Sequence, residues 1–190
     1  GLIVDLIEAG KHYFLSRPRR FGKSLLVDTM KALFEGEQAL FTGLAAETRW
    51  DWSRRHPVIR ISFGGGVVSS EAGLVQRIQH GLRGNFRALG LARADDIPFD
   101  DVAGHLADLI ERAHAASGQQ AVVLVDEYDK PILDNITEPA TARLMREGLR
   151  NLYSVLKEMD AHLKFVFLTG VSKFSKVSLF SGLNNLRDIT

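Results

Sequence analysis

Cysteine is absent from this 190-residue chain. That excludes a disulfide scaffold, thiol catalysis and cysteine-ligated zinc. Neither sign of charge prevails: 24 Lys and Arg stand against 23 Asp and Glu, a formal net charge of +1. Global charge therefore gives no argument for a nucleic-acid or membrane partner. No apolar run approaches the roughly 20 residues of a membrane helix. The longest, Ala121 to Val125, has the length of a strand. The opening Gly1-Leu2-Ile3-Val4-Asp5 lacks the basic n-region and cleavage site of a secretory signal. A cytoplasmic protein without a membrane partner is the expectation. His12, His56, His80, His105, His114 and His162 are scattered without metal-ligand spacing, so no zinc site is assigned.

What is present is ordinary globular material: 45% hydrophobic and 25% charged residues, enough for a real core. The length suits one domain, or one domain and a fragment of another. Both ends read as cut. Gly1 opens directly into an apolar helical pattern (Leu2, Ile3, Leu6, Ile7), and Thr190 closes without a cap. The expectation is a single core over residues 1–190, incomplete at both ends.

Four short apolar runs punctuate the chain: His12 to Leu15, Val58 to Phe63, Ala121 to Val125, and Phe165 to Leu168. The first, third and fourth are apolar on both faces, as buried parallel strands are. The second partly alternates. Helical periods lie between them. Leu26, Met30, Leu33 and Phe34 end at Gly36, and Leu74, Ile78, Leu82 and Phe86 end near Gly90. Val102, Leu106, Leu109, Ile110 and Ala113 follow a cap at Asp100 or Asp101 and stop at Gly118. Pro139 starts a helix continued by Leu144, Leu149, Leu152 and Leu156. Strands alternating with helices predict an open, mostly parallel α/β sheet whose ligands bind beyond the carboxyl ends of the strands.

The chemistry sits at those ends. After the first run comes Ser16-Arg17-Pro18-Arg19-Arg20-Phe21-Gly22-Lys23-Ser24, then a helix. Gly22-Lys23-Ser24 is the second half of a phosphate-binding loop. N–H groups at a helix start converge on an anion, and the helix dipole favours negative charge there. Lys23 suits β/γ-phosphates and Ser24 suits Mg²⁺. The general pattern has a glycine where this chain has Arg17. The third run ends in Asp126-Glu127. A carboxylate at a buried strand tip suits Mg²⁺ (Asp126), and the next can orient and deprotonate a water (Glu127). The fourth run ends in Thr169, a candidate for sensing γ-phosphate or holding that water. Strand order is that of ATPases with an extra strand between the loop strand and the acidic strand. Such folds place a fifth strand beside the first, and no fifth candidate is legible before Thr190.

On these residues the sequence resembles the AAA-ATPase-like family of bacteria and archaea. The stretches that carry the resemblance are Tyr13 to Leu25, Val125-Asp126-Glu127-Tyr128-Asp129-Lys130-Pro131, and Phe167 to Ser175 running on through Leu183 to Thr190. Arg17-Pro18-Arg19-Arg20-Phe21 looks like that family's own form of the loop. The resemblance implies a three-layer P-loop NTPase core that binds ATP with Mg²⁺. It implies a protein continuing past Thr190, often into a domain resembling PD-(D/E)XK nucleases, with a helical lid also outside this chain. Nucleic acid, as a partner through that further domain, rests on the resemblance alone. A homo-oligomer stays open.

The expected site follows. Lys23 neutralises phosphate, Ser24 and Asp126 hold Mg²⁺, Glu127 activates water and Thr169 assists. Arg20, Phe21, Gly22, Lys23, Ser24 and Leu25 line the nucleotide. Arg60, Arg143, Arg146 and Arg150 are unranked candidates for an arginine finger. Asp129 is expected to leave the strand into a turn. Trp50 and Trp52 read as a partly buried packing cluster, and Gly64-Gly65-Gly66 as a loop at the sheet rim. The alternative to an ATPase is a nucleotide-gated binding module with little turnover. No Asn-Lys-x-Asp segment supports a GTPase, and no Asp…Glu-x-Lys constellation supports a nuclease.

Overall fold

The four apolar runs become strands β1 (His12–Ser16), β2 (Val58–Ser62), β3 (Ala121–Asp126) and β4 (Leu163–Gly170) of one sheet. A fifth, β5 (Arg187–Asp188), joins them, and all pairs are parallel in the order β2-β3-β4-β1-β5. The computed structural model describes residues 1–183 and 185–190, and at residues 174, 175 and 177 the backbone alone. Asn184 and the side chains of Phe174 and Ser175, part of the third stretch of the resemblance, lie outside that description.

β5 corrects the expectation that no fifth strand precedes Thr190. Arg187 and Asp188 pair with Tyr13 and Phe14, flanking the first strand as the fold requires. Two polar residues give no apolar run, so periodicity could not reveal them.

Side chains alternate across the pleat and make two cores. Phe14, Ile59, Ile61, Val123, Val125, Val166 and Leu168 face one layer. It holds α4 (Glu71–Ala88), α5 (Val102–Ser117) and α7 (Pro139–Glu158). Tyr13, Leu15, Val58, Val122, Leu124, Phe165 and Phe167 face the other. It holds α1 (Leu2–Ala9) and α2 (Lys23–Glu35). Burial on both faces explains why β1, β3 and β4 lack polar alternation. β2 alternates because it is the edge. There the Asn85 side chain of α4 takes the place of a neighbouring strand. The Arg60 N–H donates to its Oδ1 at 3.0 Å, and its Nδ2 donates to the Arg60 carbonyl at 2.9 Å.

Helix ends follow their caps. Asp101 accepts from the Gly104 N–H at 2.9 Å, which decides between the two candidate caps. Gly118 and Gly36 close α5 and α2 in the left-handed region at φ +68° and +78°. Leu144 departs from its expected core role: it is 42% exposed, one residue off the stripe formed by Met145, Leu149, Leu152 and Leu156. Three short helices, α3 (Ala45–Arg49), α6 (Lys130–Leu133) and α8 (Phe174–Leu179), carry too few turns to show a period. Trp50 packs on Phe34 and Trp52 on Phe41, each with ring centroids 5.3 Å apart, the cluster the sequence suggests.

Candidate functional site

Register brings the polar strand tips to one end of the sheet. Ser62 lies opposite Asp126, Leu15 opposite Thr169, and Ser16 opposite Gly170. The β1–α2 loop, residues 17 to 22, hangs over that end. Gly22 stands at the α2 N-cap with φ +72°, a conformation glycine adopts without strain, and a Cβ there would meet nothing within 4 Å. The first-turn N–H groups of Lys23, Ser24 and Leu25 have no intrahelical acceptor, so this end is built for an anion. Arg20 takes the left-handed region without being glycine, at φ +66°.

Lys23 is buried, 6% exposed, and its ammonium is held by the carbonyls of Arg17 and Pro18, both at 2.8 Å. The loop without its usual glycine thus folds around its own lysine. Arg17, Arg19, Arg20, Phe21 and Leu25 are exposed on its outside.

Asp126 organises the other half. Ser24 Oγ donates to its Oδ2 at 2.6 Å, and Thr169 Oγ1 donates to its Oδ1 at 2.6 Å. The two hydroxyls come from different elements, and each holds one carboxylate oxygen. Thr169 Oγ1 also accepts from the Glu127 N–H at 3.3 Å. Glu127 is a second non-glycine residue at positive φ, +56°, and its partly exposed carboxylate lies over the Ser62–Gly64 segment. Such backbone costs about 1–3 kcal/mol and collects at functional sites. Arg60 reaches in from β2, with Nε 3.1 Å from Asp28 Oδ1 and Nη2 3.8 Å from Asp126 Oδ2.

Asp129 leaves the strand into a turn, as expected, but its side chain turns inward. It is fully buried. Its carboxylate accepts the Ser172 N–H at 2.7 Å and the Val171 N–H at 3.3 Å, and burial pushes its pKa up. The Tyr128 hydroxyl donates to the Ser172 carbonyl at 2.6 Å. The loop after β4 is therefore pinned to the segment after β3, and Ser16 Oγ ties β1 to it through the Val171 carbonyl at 2.9 Å.

A family model described as Predicted AAA-ATPase matches residues 1–180. The chain belongs to that family. The membership supports nucleotide binding. A relative of this AAA-ATPase chain, described as an uncharacterized protein in the vnfD 5′ region of Azotobacter chroococcum mcd 1, is 60% identical over 190 residues. The alignment covers 100% of this chain and 36% of that protein, so the chain spans about a third of the relative's length. Among the described residues, no helix is long and apolar enough to cross a membrane.

In this AAA-ATPase chain hydrogen bonds bring Ser24, Asp126, Thr169 and the Glu127 backbone together, with Phe21, Gly22 and Lys23 just before Ser24 in the chain and the Lys23 ammonium turned to the loop carbonyls. Of the four arginine candidates, Arg60 alone, among the described residues, approaches this cluster. Arg143 pairs with Glu147, Arg150 donates to the Ser178 carbonyl, and Arg146 lines a groove with Ile132 and Ile136. Asp28 and Asp129 escaped sequence reasoning. Asp28 had a signal, four residues after Ser24 on the same helix face. Arg60 had one too, a charge set inside an apolar strand.

The site also fits a small hard cation. Ser24 and Asp126 offer oxygen donors already 2.6 Å apart, with one carboxylate, as Mg²⁺ sites completed by phosphate and water have. Among the described residues no cluster of three His, Asp or Glu forms a dedicated metal cage.

Proposed function

We propose that the chain binds ATP with Mg²⁺ between the β1–α2 loop and the tips of β3 and β4, and hydrolyses it to drive a conformational switch. The observation that carries this reading is the Ser24–Asp126 hydrogen bond beside the loop-held Lys23. It joins the phosphate loop to the acidic strand at one point.

In this reading the N–H groups from Phe21 to Leu25 cradle the phosphates, with Arg20 at the rim. Lys23 exchanges loop carbonyls for β/γ-phosphate oxygens. Ser24 and Asp126 hold Mg²⁺, which when bound neutralises charge on those oxygens. Glu127 orients the attacking water and takes its proton as the bond from the γ-phosphorus to the bridging oxygen breaks, leaving ADP and phosphate. Thr169 fixes the Asp126 carboxylate and the Glu127 backbone, so a shift at the γ-position reaches the loop after β4. The strained φ of Glu127 favours a chemical over a merely structural role. A link to a nucleic-acid or defence system rests on the family resemblance, and self-association stays open.

Calorimetric titration of Mg·ATP into wild type and Lys23→Ala, repeated with Mg·GTP, tests the site. A charge-assisted contact of about 1.5–3 kcal/mol predicts roughly ten- to hundredfold weaker binding by the mutant. Glu127→Gln should retain binding and lose turnover. Turnover that is already near zero and does not fall would leave the nucleotide-gated module as the better reading.

A further inference from the structure

The Arg60 guanidinium is an odd occupant of the site. It stands in the middle of a strand, between Ile59 and Ile61, which are buried on the opposite face. Its backbone is fixed on both sides, by Asn85 and by β3, so the side chain is delivered to the α2 side of the sheet. There it meets two carboxylates, Asp28 at 3.1 Å and Asp126 at 3.8 Å. Neither contact is well made. Nε is shielded from water, yet among the described residues no partner is aligned to hydrogen-bond it, despite the nearby Asp28 oxygen. The Asp126 contact is beyond hydrogen-bond length. A buried donor left in that state costs more than a paired one recovers, so a static ion pair does not account for it.

Resting on the Mg·ATP reading above, we propose that Arg60 is a resident counter-cation of the metal site. It holds the Asp126 carboxylate in place before a divalent ion arrives, and yields it when the ion binds. Asp126 Oδ2, the oxygen nearest the guanidinium, is also the one Ser24 holds. Cation and metal therefore compete for one oxygen. Asp28, more exposed, takes the guanidinium over when it is displaced. Arg60 is thus a positioning residue that sets how readily the site accepts a divalent ion, acting through Asp126.

The sign of the effect separates this role from simple scaffolding. Removing the positive charge should tighten divalent binding, whereas removing a scaffold should weaken it. Mn²⁺ alone is titrated into nucleotide-free wild type, Arg60→Gln, Arg60→Lys and Asp126→Asn, with free Mn²⁺ read by its paramagnetic resonance signal. Melting curves confirm that each variant is folded. Arg60→Gln should bind Mn²⁺ at least about fivefold more tightly, the effect of one unit charge near 4 Å even in high dielectric. Arg60→Lys, which keeps the charge, should stay near wild type, and Asp126→Asn should lose the site. Unchanged or weaker binding by Arg60→Gln, with binding that still depends on Asp126, overturns the proposal and leaves the Mg·ATP reading intact. Wild type that binds no Mn²⁺ even with ATP added brings down both.

Discussion

A Cβ added at Gly170 would overlap the Tyr128 ring and come within 2.8 Å of Asp129 Oδ1. Both neighbours are fully buried and cannot retreat. Gly170→Ala should therefore destabilise the fold by about 1–3 kcal/mol, as overpacked cores do. Gly22 is the reverse case. A Cβ there meets open space, so Gly22→Ala carries only the strain of a left-handed alanine, about 1–2 kcal/mol, while narrowing the approach of a phosphate to the loop. Chemical denaturation and calorimetric ATP titration on both variants should give opposite rankings. Gly170→Ala should lose more stability and Gly22→Ala more nucleotide affinity. Equal loss of affinity in two equally folded variants would contradict this division.

At the scale of elements, the ends of β3 and β4 behave as one piece. The Tyr128 N–H donates to the Thr169 carbonyl at 2.9 Å, and the Tyr153 hydroxyl donates to the Tyr128 carbonyl at 2.9 Å. Asp129 completes the joint from a fully buried position. Burial raises its pKa, against the pull of the Ser172 and Val171 N–H groups and Lys23. The folded chain then holds that proton more tightly than the unfolded chain. Its contribution to stability is fullest below the ordinary Asp value and is lost as pH rises through the raised one. The amide of an Asp129→Asn variant cannot ionise. The difference in melting temperature between Asp129→Asn and wild type should move in favour of the mutant from about pH 4 to about pH 7. A difference that is flat or moves the other way would mean that the carboxylate is not held against its charge.

Legibility followed the same scale. β1, β3 and β4 were readable because burial on both faces leaves only apolar residues, and α5 because Asp101 and Gly118 mark its ends. Lys23, Ser24, Asp126 and Glu127 were readable because their spacing in sequence is set by one loop and one strand tip. β5 was not, since its two polar residues hold their place by pairing with β1 and by side-chain contacts to Ala9, Lys173 and Lys176, none of which leaves an apolar run. Nor was Asp129. Its position depends on two backbone N–H groups more than forty residues away, which no local pattern encodes.

For the molecule as a whole, the proposed nucleotide site would link binding to folding. A ligand bound only by the folded state stabilises it by about 2.7 kcal/mol at a hundredfold excess over Kd. For a domain of this size that raises the melting temperature by roughly 5–10 °C. Mg·ATP at that excess should give such a shift in wild type and at most about half of it in Lys23→Ala. The absence of any shift at saturating nucleotide would contradict a site formed by the folded core.

The Asn85 amide that occupies both polar groups of Arg60 has a consequence beyond its own strand. A parallel sheet ending in a bare margin is a template on which an extended peptide, or the same strand of another molecule, can lay itself down. Here the middle of that template, at Arg60, is already filled by a side chain anchored within α4 through the Gly81 carbonyl. A strand laid along the β2 margin would have to displace the Asn85 amide from Arg60, which makes addition there less favourable.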